Sequence, residues 1–269
     1  MDRSRDSQSG GAASIAPPRP ARAGRAPILL IGSFYRDPAP ARHEELTACL
    51  RLNAANKQID EFHILIEDTT EPEALSDLIA PRWRSKLRFV RHGRRATYRD
   101  LFARANSQGH GRVAVIGNAD IWFDSSLRRL RKFDLDGKLL CLSRWDMQAN
   151  GRSIFYDSVD SQDAWIFRTP IREFFCDFFL GVPACDNRLA WEAEHAGLAI
   201  SNPSLSVRAN HLHLSGIRNY RREQRIAGPS RHLTAGYIDR GPGRLWDLMS
   251  GRLVSSFARA IAWPRDGAH

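Results

Sequence analysis

The chain has 269 residues, 42% of them hydrophobic, and a formal net charge of +10, which is enough apolar mass for one large domain with a substantial core. Its four cysteines include no pair at the two-residue spacing of zinc ribbons and redox motifs. No run reaches the ~18 apolar residues that cross a bilayer, and the start lacks the apolar core of a signal peptide. A reducing, cytoplasmic setting is therefore expected, with peripheral contact at the inner membrane face as a variant of it. The positive balance is compatible with an anionic partner, whether phosphate groups, acidic lipid headgroups or nucleic acid, and does not choose among them.

Residues 1–26 are rich in Ser, Gly, Ala, Pro and Arg, and cannot offset their ordering entropy, which predicts a disordered basic arm. A main domain is expected over 27–227 and a C-terminal helical tail over 228–269. The run 28–31 reads as a strand stopping at Gly32 and Ser33. Leu46, Cys49, Leu50 and Asn53 recur at helical spacing, and a second strand, 62–66, ends at Glu67-Asp68. Thr97-Tyr98-Arg99-Asp100 opens a helix with a capping-box pattern, and a buried strand follows at 113–116. Further strands are expected at 139–142 and 164–167, and helices at 171–179 and 188–195, the latter closed by Gly197. From Arg244 a last helix is expected, packed on the domain or lying on a membrane surface. Strands and helices alternating in this way imply an α/β sheet.

The most informative stretch is Arg112 to Asp124, where a continuous apolar strand stops at Asn118-Ala119-Asp120. Ligands of open α/β sheets bind at such carboxyl ends of strands. A carboxylate there can hold a divalent cation, which neutralises a departing diphosphate, so Asp120 is the expected metal residue. The alternative is that Asn118 and Asp120 only make a turn, and Asp124 reads as a helix cap. Asp186 follows the loop-like Gly181-Val182-Pro183-Ala184-Cys185. It either accepts the proton of an attacking hydroxyl or caps a helix. His211 and His213 alternate and point the same way in an extended chain. His213 is expected to complete the metal or diphosphate site, the alternative being a structural hydrogen bond. Arg218 opens a basic run to Arg225 that either binds diphosphate oxygens or is a solvated face. By strand-end position Tyr35 and Arg36 can meet a nucleotide base and Asp68 a ribose hydroxyl, or all three are ordinary loop residues.

Asn118-Ala119-Asp120-Ile121-Trp122-Phe123-Asp124 resembles the aspartate motif of a bacterial GT-A-like glycosyltransferase family. Thr97-Tyr98-Arg99-Asp100-Leu101-Phe102, Leu142-Ser143-Arg144-Trp145-Asp146, Ser161-Gln162-Asp163-Ala164-Trp165, Cys185-Asp186-Asn187-Arg188 and His211-Leu212-His213 resemble further blocks in the same order, over residues 28–220. The resemblance implies a single α/β domain with a GT-A-like, Rossmann-related mixed sheet flanked by helices, and makes 27–227 the catalytic domain. It implies transfer of a sugar from a nucleotide-diphosphate donor to a saccharide or glycolipid acceptor, with inversion. Mg2+ or Mn2+ is the implied cofactor, Asn118 a donor-binding residue and Asp186 the single base. Asp163 would precede its strand, away from a carboxyl end, and reads as acceptor-binding or structural. A full Asp-x-Asp is absent because Asn118 takes its first place, which motivates a second reading as an inactive sugar-nucleotide-binding or scaffolding protein. Nucleic-acid binding would explain the charge but leaves Asp120, Asp163 and Asp186 without a role, so no nucleic-acid partner is expected.

Overall fold

Apolar runs form the longer strands and short mixed segments the rest in the computed structural model, which describes residues 25–218 and 220–238. They are β1 (Ile28–Phe34), β2 (Glu61–Ile66), β3 (Leu87–Arg91), β4 (Val113–Gly117), β5 (Ile121–Phe123), β6 (Lys138–Leu142), β7 (Arg144–Met147), β8 (Ser153–Phe155), β9 (Ala164–Arg168), β10 (Ala199–Ser201) and β11 (Ala209–His211). Between them lie α1 (Pro40–Ala55), α2 (Pro72–Asp77), α3 (Pro81–Arg84), α4 (Tyr98–Asn106) and α5 (Cys185–His195). The arm over 1–26, except its last two residues, and the helix expected from Arg244 lie outside the described residues.

Seven strands form one mixed sheet in the order β10-β6-β9-β4-β1-β2-β3, in which β9 alone runs opposite to the rest. Its central strands are apolar on both faces because both are covered. On β1, Ile28 and Leu30 pack with Leu46 and Leu50 of α1 and Leu75 of α2, whereas Leu29 and Ile31 pack with Leu101 and Phe102 of α4 and Leu189 of α5. The result is three layers, helix on sheet on helix. Strand order reverses between β1 and β4, so the carboxyl ends of these two strands flank a topological switch point. A second, four-stranded sheet, β5-β11-β7-β8, grows from that edge.

One segment differs from expectation. Residues 171–179 are irregular and not helical. Ile171, Cys176 and Phe178 are buried while Phe175 and Phe179 are exposed. The carbonyls of Cys176 and Phe178 accept from the N–H groups of Arg99 and Tyr98, both at 3.0 Å. The segment thus satisfies the first donors of α4 instead of coiling on itself. Residues 228–238, assigned to the tail, contain no helix and lie against the main domain. Arg231 N–H donates to the Asn187 carbonyl at 2.9 Å, Leu233 N–H to Val159 at 3.1 Å and Gly236 N–H to Asn202 at 2.7 Å. No helix among the described residues is long and apolar enough to cross a membrane.

Candidate active site

After β4 the chain turns tightly, Ile121 N–H donating to the Asn118 carbonyl at 3.0 Å, and re-enters the second sheet as β5. Asp120 sits in this turn, and its own carbonyl accepts Leu212 N–H at 3.0 Å. That bond pins the His-Leu-His segment against the turn, so the side chains on either side of Leu212 flank the Asp120 carboxylate. His211 Nε2 is 3.2 Å and His213 Nδ1 3.9 Å from Asp120 Oδ2. Ligating atoms of the three residues all lie within 4.8 Å of one another. From α1, Arg42 places Nη2 2.5 Å from the same oxygen and Nη1 2.9 Å from Glu45 Oε2. His211 Nδ1 contacts Asp146 Oδ1 at 2.8 Å.

Burial alone would raise the pKa of Asp120, but His211, His213 and Arg42 outweigh it and hold the carboxyl well below its usual range. The same pairing acts on His211: burial lowers its pKa, yet Asp120 and Asp146 push it up to about 9. The cluster therefore holds a proton on His211, which an ion bound at this place would displace. The donor set fits a divalent ion. His213 Nε2 is buried and finds no partner among the described residues, as does Asn118 Oδ1. Such orphans cost about 1–3 kcal/mol each unless something outside the chain satisfies them. Two imidazoles with one carboxylate suit Mn2+ better than Mg2+, which prefers oxygen ligands.

A chain of polar groups leads from this cluster along the sheet edge. Arg144 bonds Asp146 at 2.8 Å, Ser161 Oγ at 2.9 Å and Asp163 Oδ2 at 3.4 Å. Asn118 Nδ2 donates to Asp163 Oδ1 at 2.9 Å. The expectation that Asp163 lies away from the carboxyl ends is wrong: because β9 is antiparallel, its first residue lies beside the last residues of β4 and β6. Beyond Asp163 comes Asp186, in the first turn of α5, whose N-cap is Ala184 and not Asp186. Gln162 N–H donates to Asp186 Oδ2 at 2.8 Å and Asn187 N–H to Oδ1 at 3.0 Å. Burial raises the Asp186 pKa to about 7 against those two bonds, helped by the charge of Asp163.

The remaining expected residues occupy different places. Tyr35 and Arg36 follow β1 at the switch point, and Arg36 N–H donates to Asp68 Oδ2 at 2.6 Å, so these three share one corner. Asp68 also accepts Thr70 N–H at 2.9 Å and is in part a turn residue. Arg218 is exposed, with Nη1 3.1 Å from the Tyr220 hydroxyl. Asp124 caps the 3-10 run Ser125–Lys132 through Ser126 N–H. Arg42, Glu45 and Asp146 were not foreseen. For the first two the signal was present in α1, where Arg42 and Glu45 share the helical face of Leu46 and Cys49, a position that demands paired charges.

The chain matches no protein-family model and no curated protein. Among solved structures it is similar to a mannosyltransferase from Pyrobaculum calidifontis in complex with GDP-Man and Mn2+, at 13% identity and a TM-score of 0.43 over 91% of this chain and 66% of that one. It is similar also to S. aureus TarS, at 12% identity and a TM-score of 0.41 over 88% of this chain and 66% of that one. A 4-diphosphocytidyl-2C-methyl-D-erythritol synthase from Anaerococcus prevotii aligns at 13% identity and a TM-score of 0.41, over 74% and 92% of the two chains. The chain thus spans just under two thirds of the mannosyltransferase and of TarS.

Proposed function

We propose that this chain is a GT-A-type glycosyltransferase that moves a sugar from a nucleotide-diphosphate donor to a saccharide acceptor, free or lipid-linked, with inversion. One observation carries the reading: a triad suited to a divalent ion follows the carboxyl end of β4 beside the switch point, and Asp186, with a base-like pKa, is bonded to Gln162 next to Asp163, which precedes β9 at the same end of the sheet. In this reading Asp120, His211 and His213 hold the ion. When bound, the ion neutralises the charge of the departing diphosphate.

The chain's own residues do the rest. Tyr35, Arg36 and Asp68 receive the base and ribose at the corner they share, and Asn118 and Arg218 bind the donor's polar groups. Asp186 takes the proton of the acceptor hydroxyl as that oxygen bonds to the anomeric carbon and the bond to the diphosphate oxygen breaks. Its pKa near 7 leaves it half ionised at neutral pH, the balance a general base requires. A second reading rests on the Arg42–Asp120 contact: the guanidinium itself serves as the cation, and donor binding needs no metal. Nucleotide release from UDP-, GDP-, dTDP- and CMP-sugars, in EDTA and in Mn2+, separates the two. Release that needs Mn2+ and is lost in Asp120→Ala and Asp186→Asn supports the first reading, and release in EDTA the second. No release from any donor by the wild-type protein counts against both.

A further inference from the structure

Strand register decides what the second sheet presents beside this site. Ile121, His211, Asp146 and Ile154 are successive cross-strand partners on β5, β11, β7 and β8, and so share one face. The next row of that face is Phe123, Ala209, Arg144 and, just past β8, Tyr156, whose N–H donates to the Arg144 carbonyl at 3.1 Å. Both rows begin in the core, pass through the charged groups of the site and end at the sheet edge in exposed apolar side chains. Ile154 is 59% and Tyr156 40% exposed, and Val159, in the loop leading to Ser161 and Asp163, is 41% exposed.

The Tyr156 ring is not loose. The Arg144 guanidinium lies 4.2 Å from its centroid, and that guanidinium is held by Asp146, Ser161 and Asp163. A partly exposed aromatic ring held through Arg144 to the polar chain that contains Asp146 and Asp163, with exposed Ile154 on the same sheet face and exposed Val159 three residues further along, is complementary to a pyranose. Its C–H face packs on apolar surface, and its hydroxyls donate to acids.

We propose that Ile154, Tyr156 and Val159 form the platform for the acceptor saccharide, with Tyr156 stacked on the acceptor ring beside Asp163. This inference rests on the glycosyl-transfer reading for its role, yet the platform binds sugar whether or not transfer occurs. The test uses the full chain and methyl glycosides of glucose, galactose, mannose, N-acetylglucosamine and rhamnose, read by saturation-transfer NMR. At least one glycoside should receive saturation at its ring C–H protons from the wild type and from Tyr156→Phe. Tyr156→Ala should weaken that binding about tenfold, and Ile154→Ser, which leaves Arg144 untouched, should weaken it also. Once a donor is known, Tyr156→Ala should raise the acceptor KM by a similar factor and leave the donor KM unchanged. Glycoside binding without any donor binding would keep the platform and remove the transferase reading. The platform is overturned if no glycoside binds the wild type, or if both variants bind as the wild type does.

Discussion

Arg42→Met removes the guanidinium that lies between two carboxylates and keeps the apolar stem. The side chains of Arg42, Asp120 and Glu45 are only 8%, 13% and 3% exposed, so water cannot replace the lost charge. Removing one partner of a buried ion pair costs about 3–5 kcal/mol. Asp120 keeps His211, and Glu45 keeps the N–H and hydroxyl of Ser215 at 2.6 and 2.9 Å, which places the cost at the lower end, about 3 kcal/mol. For a domain of about 200 residues this corresponds to a fall in Tm of about 6–12 °C, measured by scanning calorimetry in EDTA. In an Asp120→Asn background the same substitution should cost about 1–3 kcal/mol less, because the charge left unpaired is already gone. Saturating Mn2+ should raise the Tm of Arg42→Met more than that of the wild type, since the ion then supplies the missing positive charge. A fall below about 2 °C, or additive costs in the double variant, would refute the argument that Arg42 and Asp120 are one electrostatic unit.

Asp186→Asn should leave donor binding intact and reduce transfer at least about 100-fold, and wild-type kcat/KM should rise with pH through about 7 as Asp186 loses its proton. A pH-independent rate between pH 6 and 8, or full activity of the variant, removes Asp186 from the reaction. In metal-free protein the folded pKa of His211 is raised to about 9 from 6.5, so its stabilising contribution is complete below pH 6.5 and is lost as pH rises through about 9. Melting curves should show that decline in the wild type and its absence in His211→Gln. Asp146→Ala removes the group that orients His211, and should weaken Mn2+ affinity about 10–100-fold by titration calorimetry without moving the acceptor-side pKa near 7.

Five strands of the main sheet, β1, β2, β4, β6 and β9, were legible in the sequence because they are largely buried apolar runs, whereas β3 and β10 at its two ends are only partly buried and carry no such run. The α4 start was legible too, since Thr97 and Asp100 cap each other in the structure as their spacing predicts. The second sheet was not, because β5, β8 and β11 are three residues long, too short for a periodicity, and β7 is only partly buried. Asp120 and His213 stood out as polar residues at chain positions where ligands collect. Bringing His211 and Arg42 to the same oxygen, with Asp146 behind His211, depended on the Leu212–Asp120 backbone bond and on α1 packing against β5, contacts between residues far apart in sequence. The direction of β9 decided the place of Asp163, and no local pattern encodes strand direction. Residues 171–179 carry helix-like spacing of Phe side chains, which the donors of α4 override.

The most direct test of the account is thermal melting of the purified chain against UDP-, GDP-, dTDP- and CMP-sugars, with and without Mn2+, in the wild type and in Asp120→Ala. A donor that binds the folded state raises Tm by mass action. Tm should rise with one nucleotide, and that rise should require Mn2+ and disappear in Asp120→Ala. A panel in which no donor moves the wild-type Tm, or in which Asp120→Ala responds as the wild type does, would contradict it.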